Sequence, residues 1–184
     1  YYLNLDEKNI LKIRYELAPI KSLVTHWRKI VSKKKKNIGI SWKGGIDNTK
    51  KTRSIGLEKI SQIFDQNQNL NFYCLHNEYD EQEKEKLNRY NNVFYYLGNE
   101  MNFSNTSALC CNLDLTITID TSIAHISCAT GTETWILLRK NPAFLFPFNK
   151  KESLRYPTAK YFKQDRFNDW KSVIDKVSLN LKNL

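Results

Sequence analysis

The stretch "TITIDTSIAHISCATGT", residues 116–132, decides the reading of the whole chain. Thr116 to Ile119 are all β-branched, Asp120, Thr121 and Ser122 break the run, and small and apolar residues then continue at helical spacing. A buried strand that runs straight into a helix brings the unpaired N–H groups of Thr121, Ser122 and Ile123 to the strand's carboxyl end. The helix adds about half a positive charge there. Asp120 orients the turn or accepts from a sugar hydroxyl; Thr121 or Ser122 caps the helix or donates to a phosphate. His125, four residues after Thr121, shares its helical face. These residues describe an anion site, and equally a capped helix with a core histidine.

The same step from strand to helix recurs on both sides of this stretch. β-rich runs at 37–42, 70–75, 92–96, 113–119, 134–138 and 160–162 alternate with helical stretches at 57–66, 80–90, 103–112, 122–130 and 168–181. The near-continuous hydrophobicity of 113–119 and 134–138 marks strands covered on both faces. The expected fold is therefore α/β: a doubly wound, mostly parallel, Rossmann-like sheet of about six strands. Residues 7–32 carry helical spacing interrupted at Pro19, which is placed in the first turn of a second helix. The organisation expected is a helical lead-in and linker, 1–36, followed by one domain, 37–184, closed by a C-terminal helix.

A chain of 184 residues buries enough surface to need no disulfide or metal. No window reaches the roughly eighteen uninterrupted apolar residues of a membrane span. Cys74, Cys110, Cys111 and Cys128 lie in apolar stretches without a CxxC pair, and are read as reduced and buried. A cytoplasmic location follows from that usage. The net charge of +10 attracts phosphates, nucleic acid or an anionic membrane surface without choosing among them. The run Lys33–Lys36 is read as a solvated linker that favours a helix C-terminus. Clustered base-stacking motifs are lacking, so no specific nucleic acid is expected. The chain starts at Tyr1 rather than a methionine, and is expected to be a piece of something longer.

In doubly wound sheets, ligands bind outside the carboxyl ends of the strands. After the first strand comes "KGGIDNTKKTRS", in which Gly44 and Gly45 let backbone N–H groups approach a ligand and Lys43, Lys50, Lys51 and Arg53 supply cations. It suits a phosphate or is a polar surface loop; it is neither a GxGxxG nor a GxxxxGK[ST] pattern. The loop after the second strand, "HNEYDEQEKEK", offers Glu78 and Glu81 to the hydroxyls of a ribose, or simply carries the exposed face of a helix. In "GNEMNFSNTSA", Met101 and Phe103 precede a helix, where they sandwich a flat base or staple the helix start.

Taken together, "NIGISWKGG" followed by "RSI", then "DLTITIDTSIAHISCATGTETWILL", "LRYPTAKYFKQ" and "DWKSVIDKV", resemble the C-terminal domain of bacterial glycosyltransferases linked to tetratricopeptide repeats. These are akin to the ADP-heptose lipopolysaccharide heptosyltransferase family, that is, glycosyltransferase family 9. The resemblance implies one half of a GT-B fold, the half that holds a nucleoside diphosphate sugar. It implies that Lys43, Gly44, Gly45, Asp120, Thr121 and Ser122 hold the donor and its diphosphate. Arg53 and His125 would be the catalytic pair, acting by charge on the departing diphosphate; Met101 and Phe103 would face the base, and Glu78 or Glu81 the ribose. No cofactor and no metal are implied, in keeping with the lack of an Asp-x-Asp motif. The partners implied are the donor and a glycan, lipid or protein acceptor held by an amino-terminal domain; the net positive charge adds the expectation of a peripheral contact to an anionic membrane face. The chain departs from the family in replacing its tryptophan-rich segment before "YPT" with Phe144, Phe146 and Phe148. The alternative is a non-catalytic nucleotide- or anion-binding module.

Overall fold

The computed structural model describes residues 16–44, 53–142 and 156–184. The predicted helical spacing before residue 16, Gly45, Lys50, Lys51 and the three phenylalanines of 144–148 lie outside them.

Six strands form one parallel sheet in the order β3-β2-β1-β4-β5-β6: β1 (Asn37–Ser41), β2 (Asn71–Cys74), β3 (Val93–Phe94), β4 (Leu115–Ile119), β5 (Thr134–Leu138) and β6 (Ala159–Lys163). Every residue of β1, β2, β4 and β5 is buried, as continuous β-branched and apolar runs covered on both faces should be. The outer strands differ. β3 shrinks to two residues, and β6 shows the alternation of an edge strand with solvent on one side.

The helices divide between the two faces. On one face α2 (Leu57–Gln66), α3 (Glu81–Leu87) and α6 (Trp170–Leu181) bury Ile60, Ile63, Phe64, Leu87, Val173, Ile174 and Val177 against Ile38, Ile40, Phe72 and Ile117. On the other, α1 (Lys21–Ile30), α4 (Phe103–Cys110) and α5 (Ser122–Ala129) cover Tyr73, Leu75, Ile136 and Leu138. Burying a Leu, Ile or Phe side chain is worth about 1.5–3 kcal/mol, so these two interfaces carry the stability of the domain. α1 belongs to this packing: its Trp27 is buried, and the indole N–H donates to Asn105 Oδ1 at 3.0 Å. Pro19 lies ahead of α1 rather than inside it, because Ile20 is extended (φ −61°, ψ 117°) and the helix begins at Lys21.

Local chemistry fixes several boundaries. Asp80 and Glu83 form a capping box at the start of α3, Asn102 caps α4 by accepting from the Asn105 N–H at 3.0 Å, and Asp169 caps α6. The helix at 57–66 and the strand at 134–138 coincide with their sequence-predicted limits. Of the cysteines, all free, Cys74, Cys110 and Cys128 are buried; Cys111 is exposed, against expectation. It stands one residue beyond α4, where the chain turns outward. Among the described residues no helix is long and apolar enough to cross a membrane.

Candidate functional site

The strand order reverses between β1 and β4, which lie side by side at the centre of the sheet with Ser41 opposite Thr118. From β1 the chain leaves toward α2 on one face, and from β4 toward α5 on the other. The divergence opens a crevice at the carboxyl ends, the topological switch point of a doubly wound sheet.

Four of the expected residues meet there. Ile55 N–H bonds the Trp42 carbonyl at 2.9 Å, which folds the end of the first loop back onto β1. Arg53 is thereby carried across to β4, and its Nη1 donates to the Asp120 carbonyl at 3.2 Å. Gly44 sits against the turn that follows: a Cβ placed on it would lie 2.5 Å from Thr121 Cγ2, 3.4 Å from Ile119 Cδ1 and 3.5 Å from Arg53 Cδ. Only the absence of a side chain permits this approach. The Gly44 N–H is held by Ser54 Oγ at 3.2 Å.

Thr121 has the extended backbone of an N-cap (φ −142°, ψ 177°), yet no side chain caps α5. Its hydroxyl lies 3.5 Å from that of Thr118, and Ser122 is exposed. The first N–H groups of α5 therefore point into the crevice without a capping oxygen, beside a guanidinium. Asp120 is 6% exposed, and its Oδ2 is buried with no hydrogen-bond partner. What Arg53 meets at the crevice is therefore the main chain of Asp120.

His125 stands one turn into α5, where its Nδ1 lies 3.0 Å from the Tyr156 hydroxyl. It lines an open groove of about 480 Å³ with Ser122, Ser104, Phe103 and the segment from Leu17 to Ile20. Phe103 is 66% exposed. Met101, by contrast, is 4% exposed and packs in the core with Trp27, Tyr73 and Leu109, so it offers almost no surface to a base.

The residues expected around a ribose lie to the other side of β1. Glu78 is exposed, and its carbonyl accepts from Lys43 Nζ at 3.3 Å; Glu81 pairs along α3 with Lys84 at 2.7 Å. Lys43 does not reach Thr121. Its ammonium is paired with Glu83 and lies 5.8 Å from the centre of the Tyr79 ring. Beside this pair is a buried polar cluster that sequence reasoning missed. His76 packs edge-on against Trp42, ring centres 4.2 Å apart, and against Tyr79 at 4.6 Å. Both ring nitrogens of His76 and the indole nitrogen of Trp42 are buried without partners. Burial, and then the Lys43 cation, push the imidazole down to about 3, so it stays neutral at physiological pH. Burial likewise raises the Tyr79 hydroxyl and the Cys74 thiol, and pushes the Cys128 thiol up to about 11, leaving both thiols unreactive.

The lysine run lies at the opposite end of the sheet. Lys33–Lys36 border one groove with Cys111–Asp114 and, for Lys34–Lys36, another with Gln66, Leu181 and Lys182. Lys36 pairs with Asp114 at 3.2 Å, and Lys35 donates to the Gln68 carbonyl at 3.1 Å. The C-termini of α2, α4 and α6 converge on these cations, the arrangement helix dipoles favour.

No family model and no curated protein matches the sequence significantly. Solved structures share its fold. ADP-heptose lipopolysaccharide heptosyltransferase II of E. coli superimposes with a TM-score of 0.65 at 11% identity, over 92% of this chain and 54% of that one. A glycosyl transferase of family 9 from Veillonella parvula gives 0.62 at 11% identity, over 92% and 46%. The E. coli heptosyltransferase WaaC, solved with ADP, gives 0.61 at 9% identity, over 87% and 48%. The chain thus has the α/β fold found in about half the length of each of these family 9 structures.

Proposed function

We propose that the crevice between β1 and β4 binds a nucleoside diphosphate sugar, and that the chain is the donor-binding half of a glycosyltransferase. One observation carries this reading: Arg53, the close approach of Gly44 and the uncapped start of α5 converge on one opening at the switch point. The likeness to family 9 structures, one of them solved with ADP, supports it.

In the reaction this arrangement suits, an acceptor hydroxyl forms a bond to the anomeric carbon as the bond from that carbon to the β-phosphate oxygen breaks; the diphosphate leaves with the electron pair, and the hydroxyl proton passes to a base on the amino-terminal domain. Developing charge on that oxygen is met by the Arg53 guanidinium and the N–H groups of Thr121, Ser122 and Ile123, with His125 as a further donor. These groups are fixed before the reaction, so they need no reorganisation as charge appears. Gly44 and Gly45 admit the phosphates, Asp120 holds the turn, Phe103 offers the exposed ring for the base, and Glu78 or Glu81 serves the ribose. The acceptor, whether glycan, lipid or protein, is held by an amino-terminal domain in the cytoplasm, and the lysine ridge makes the contact with an anionic membrane face.

The test is a calorimetric screen of UDP-, GDP-, ADP- and CMP-sugars against the folded chain. Saturable binding to one of them, displaced by inorganic pyrophosphate, is expected. A folded chain that binds none of them and no pyrophosphate removes the donor-site assignment. Because the chain spans about half of its structural neighbours, a second reading, a binding module without turnover, predicts the same binding but no transfer once an amino-terminal domain is supplied.

A further inference from the structure

The 3.0 Å contact between His125 Nδ1 and the Tyr156 hydroxyl joins two residues 31 apart in sequence. Tyr156 is 7% exposed and packs with Ala124 and Cys128 of α5 and with Ile136, Leu138 and Ala159 of the sheet. Its carbonyl accepts from the Ala159 N–H at 3.0 Å, which ties the residue to the start of β6. The ring therefore has little freedom, and its hydroxyl is a fixed reference point for the imidazole.

A tyrosine hydroxyl both donates and accepts, whereas a neutral imidazole has one donor and one acceptor nitrogen. When Tyr156 donates to Nδ1, the histidine proton is placed on Nε2, on the side of the ring turned away from Tyr156. When the imidazole is charged, Nδ1–H donates to the same oxygen and Nε2 keeps its proton. In both states, Nε2 is a donor. The other neutral tautomer would direct a lone pair from Nε2, which an anion beside α5 would disfavour. His125 and Ser122 line the same groove one turn apart, so the orientation of this ring bears on whatever anion occupies the N-terminus of α5.

We propose that Tyr156 is a positioning residue that sets the orientation and tautomer of His125, holding Nε2–H as a donor toward the diphosphate. This rests on the donor-site reading above. Tyr156→Phe keeps the packed ring and removes the hydroxyl that meets His125 Nδ1.

The experiment is a double-mutant cycle in the whole chain, with ADP, UDP and inorganic pyrophosphate as probes in calorimetry. Tyr156→Phe is expected to weaken binding about three- to tenfold, the range for one net hydrogen bond. His125→Ala should weaken it at least as much, and the double variant should bind like His125→Ala alone. Nitrogen-detected NMR of the wild type, with no ligand present, should show His125 as the Nε2–H tautomer, and Tyr156→Phe should show a mixture. A Tyr156→Phe loss that persists in full in the His125→Ala background, or an unchanged tautomer in Tyr156→Phe, overturns the positioning role while the donor site stands. If His125→Ala binds all three probes like wild type, His125 leaves the diphosphate site and the proposal falls with it. A melting curve for Tyr156→Phe separates any general loosening, which would lower its midpoint without touching the tautomer.

Discussion

The contact between Gly44 and Thr121 allows the sharpest test of how the crevice is built. In Gly44→Ala the new Cβ would stand 2.5 Å from Thr121 Cγ2. Carbon atoms pack at about 3.5–4.0 Å, so one side must yield by about 1 Å. The methyl group cannot swing aside cheaply, because a β-branched side chain has few χ1 positions. Overpacking of this kind costs about 1–3 kcal/mol, which in a domain of this size lowers the melting midpoint by about 2–12 °C. Displacing the turn also misaligns the first N–H groups of α5. Loss of one charge-assisted hydrogen bond to a phosphate, about 1.5–3 kcal/mol, weakens nucleoside diphosphate binding by about 10–100-fold. Thr121→Ser in the same chain removes Cγ2 and leaves Ile119 Cδ1, at 3.4 Å, as the nearest atom. The double variant should therefore recover most of both losses. Differential scanning calorimetry and titration with ADP and UDP read the two quantities. A Gly44→Ala protein that melts and binds like wild type, or a double variant no better than Gly44→Ala, would refute this account of the crevice.

Other outcomes follow from the same geometry. Arg53→Ala should weaken ADP and UDP binding by about 10–100-fold, with Arg53→Lys recovering part of it by charge without the planar fork; equal affinities by calorimetry would remove Arg53 from the site. His76 is held near 3 in the folded chain against about 6.5 unfolded, so its contribution to stability is complete above about pH 6.5 and is lost as the pH falls toward 3, by up to about 1.4 kcal/mol per unit. His76→Phe should flatten that slope in urea titrations between pH 7.5 and 4.5, and a slope identical to wild type would contradict the buried neutral ring. Glu83→Gln takes the carboxylate away from the Lys43 cation and should cost about 1–3 kcal/mol in urea unfolding, whereas adding Lys43→Met should return part of it; a double variant as unstable as the sum of the two singles would show that the pair is not coupled.

Where one element's own residues settle the matter, the fold was legible in the sequence. The helix at 57–66 has Leu57, Ile60, Ile63 and Phe64 on one face, and the strand at 134–138 is apolar throughout, so periodicity alone set their limits. The step from Ile119 through Asp120 to a helix was legible for the same reason, and with it the position of the crevice. What stayed hidden depends on residues distant in sequence. Whether Met101 is a platform or a core residue is decided by Trp27 and Tyr73, which no spacing around residue 101 reveals. Lys43 reads as a loop cation, and its engagement by Glu83, forty residues on, appears only when β1 and α3 are placed. The Tyr156–His125 contact and the buried His76 cluster are of the same kind, since neither leaves a local pattern.

The lysine ridge and the crevice stand at opposite ends of the sheet. Lys33–Lys36 and Lys182 cluster beside the amino ends of the strands, while the crevice opens at their carboxyl ends. On the membrane contact proposed above, an anionic surface that met this ridge would leave the crevice turned outward. In that arrangement attachment and ligand access would occupy opposite ends of the domain, and a nucleotide would reach the proposed site without passing the surface.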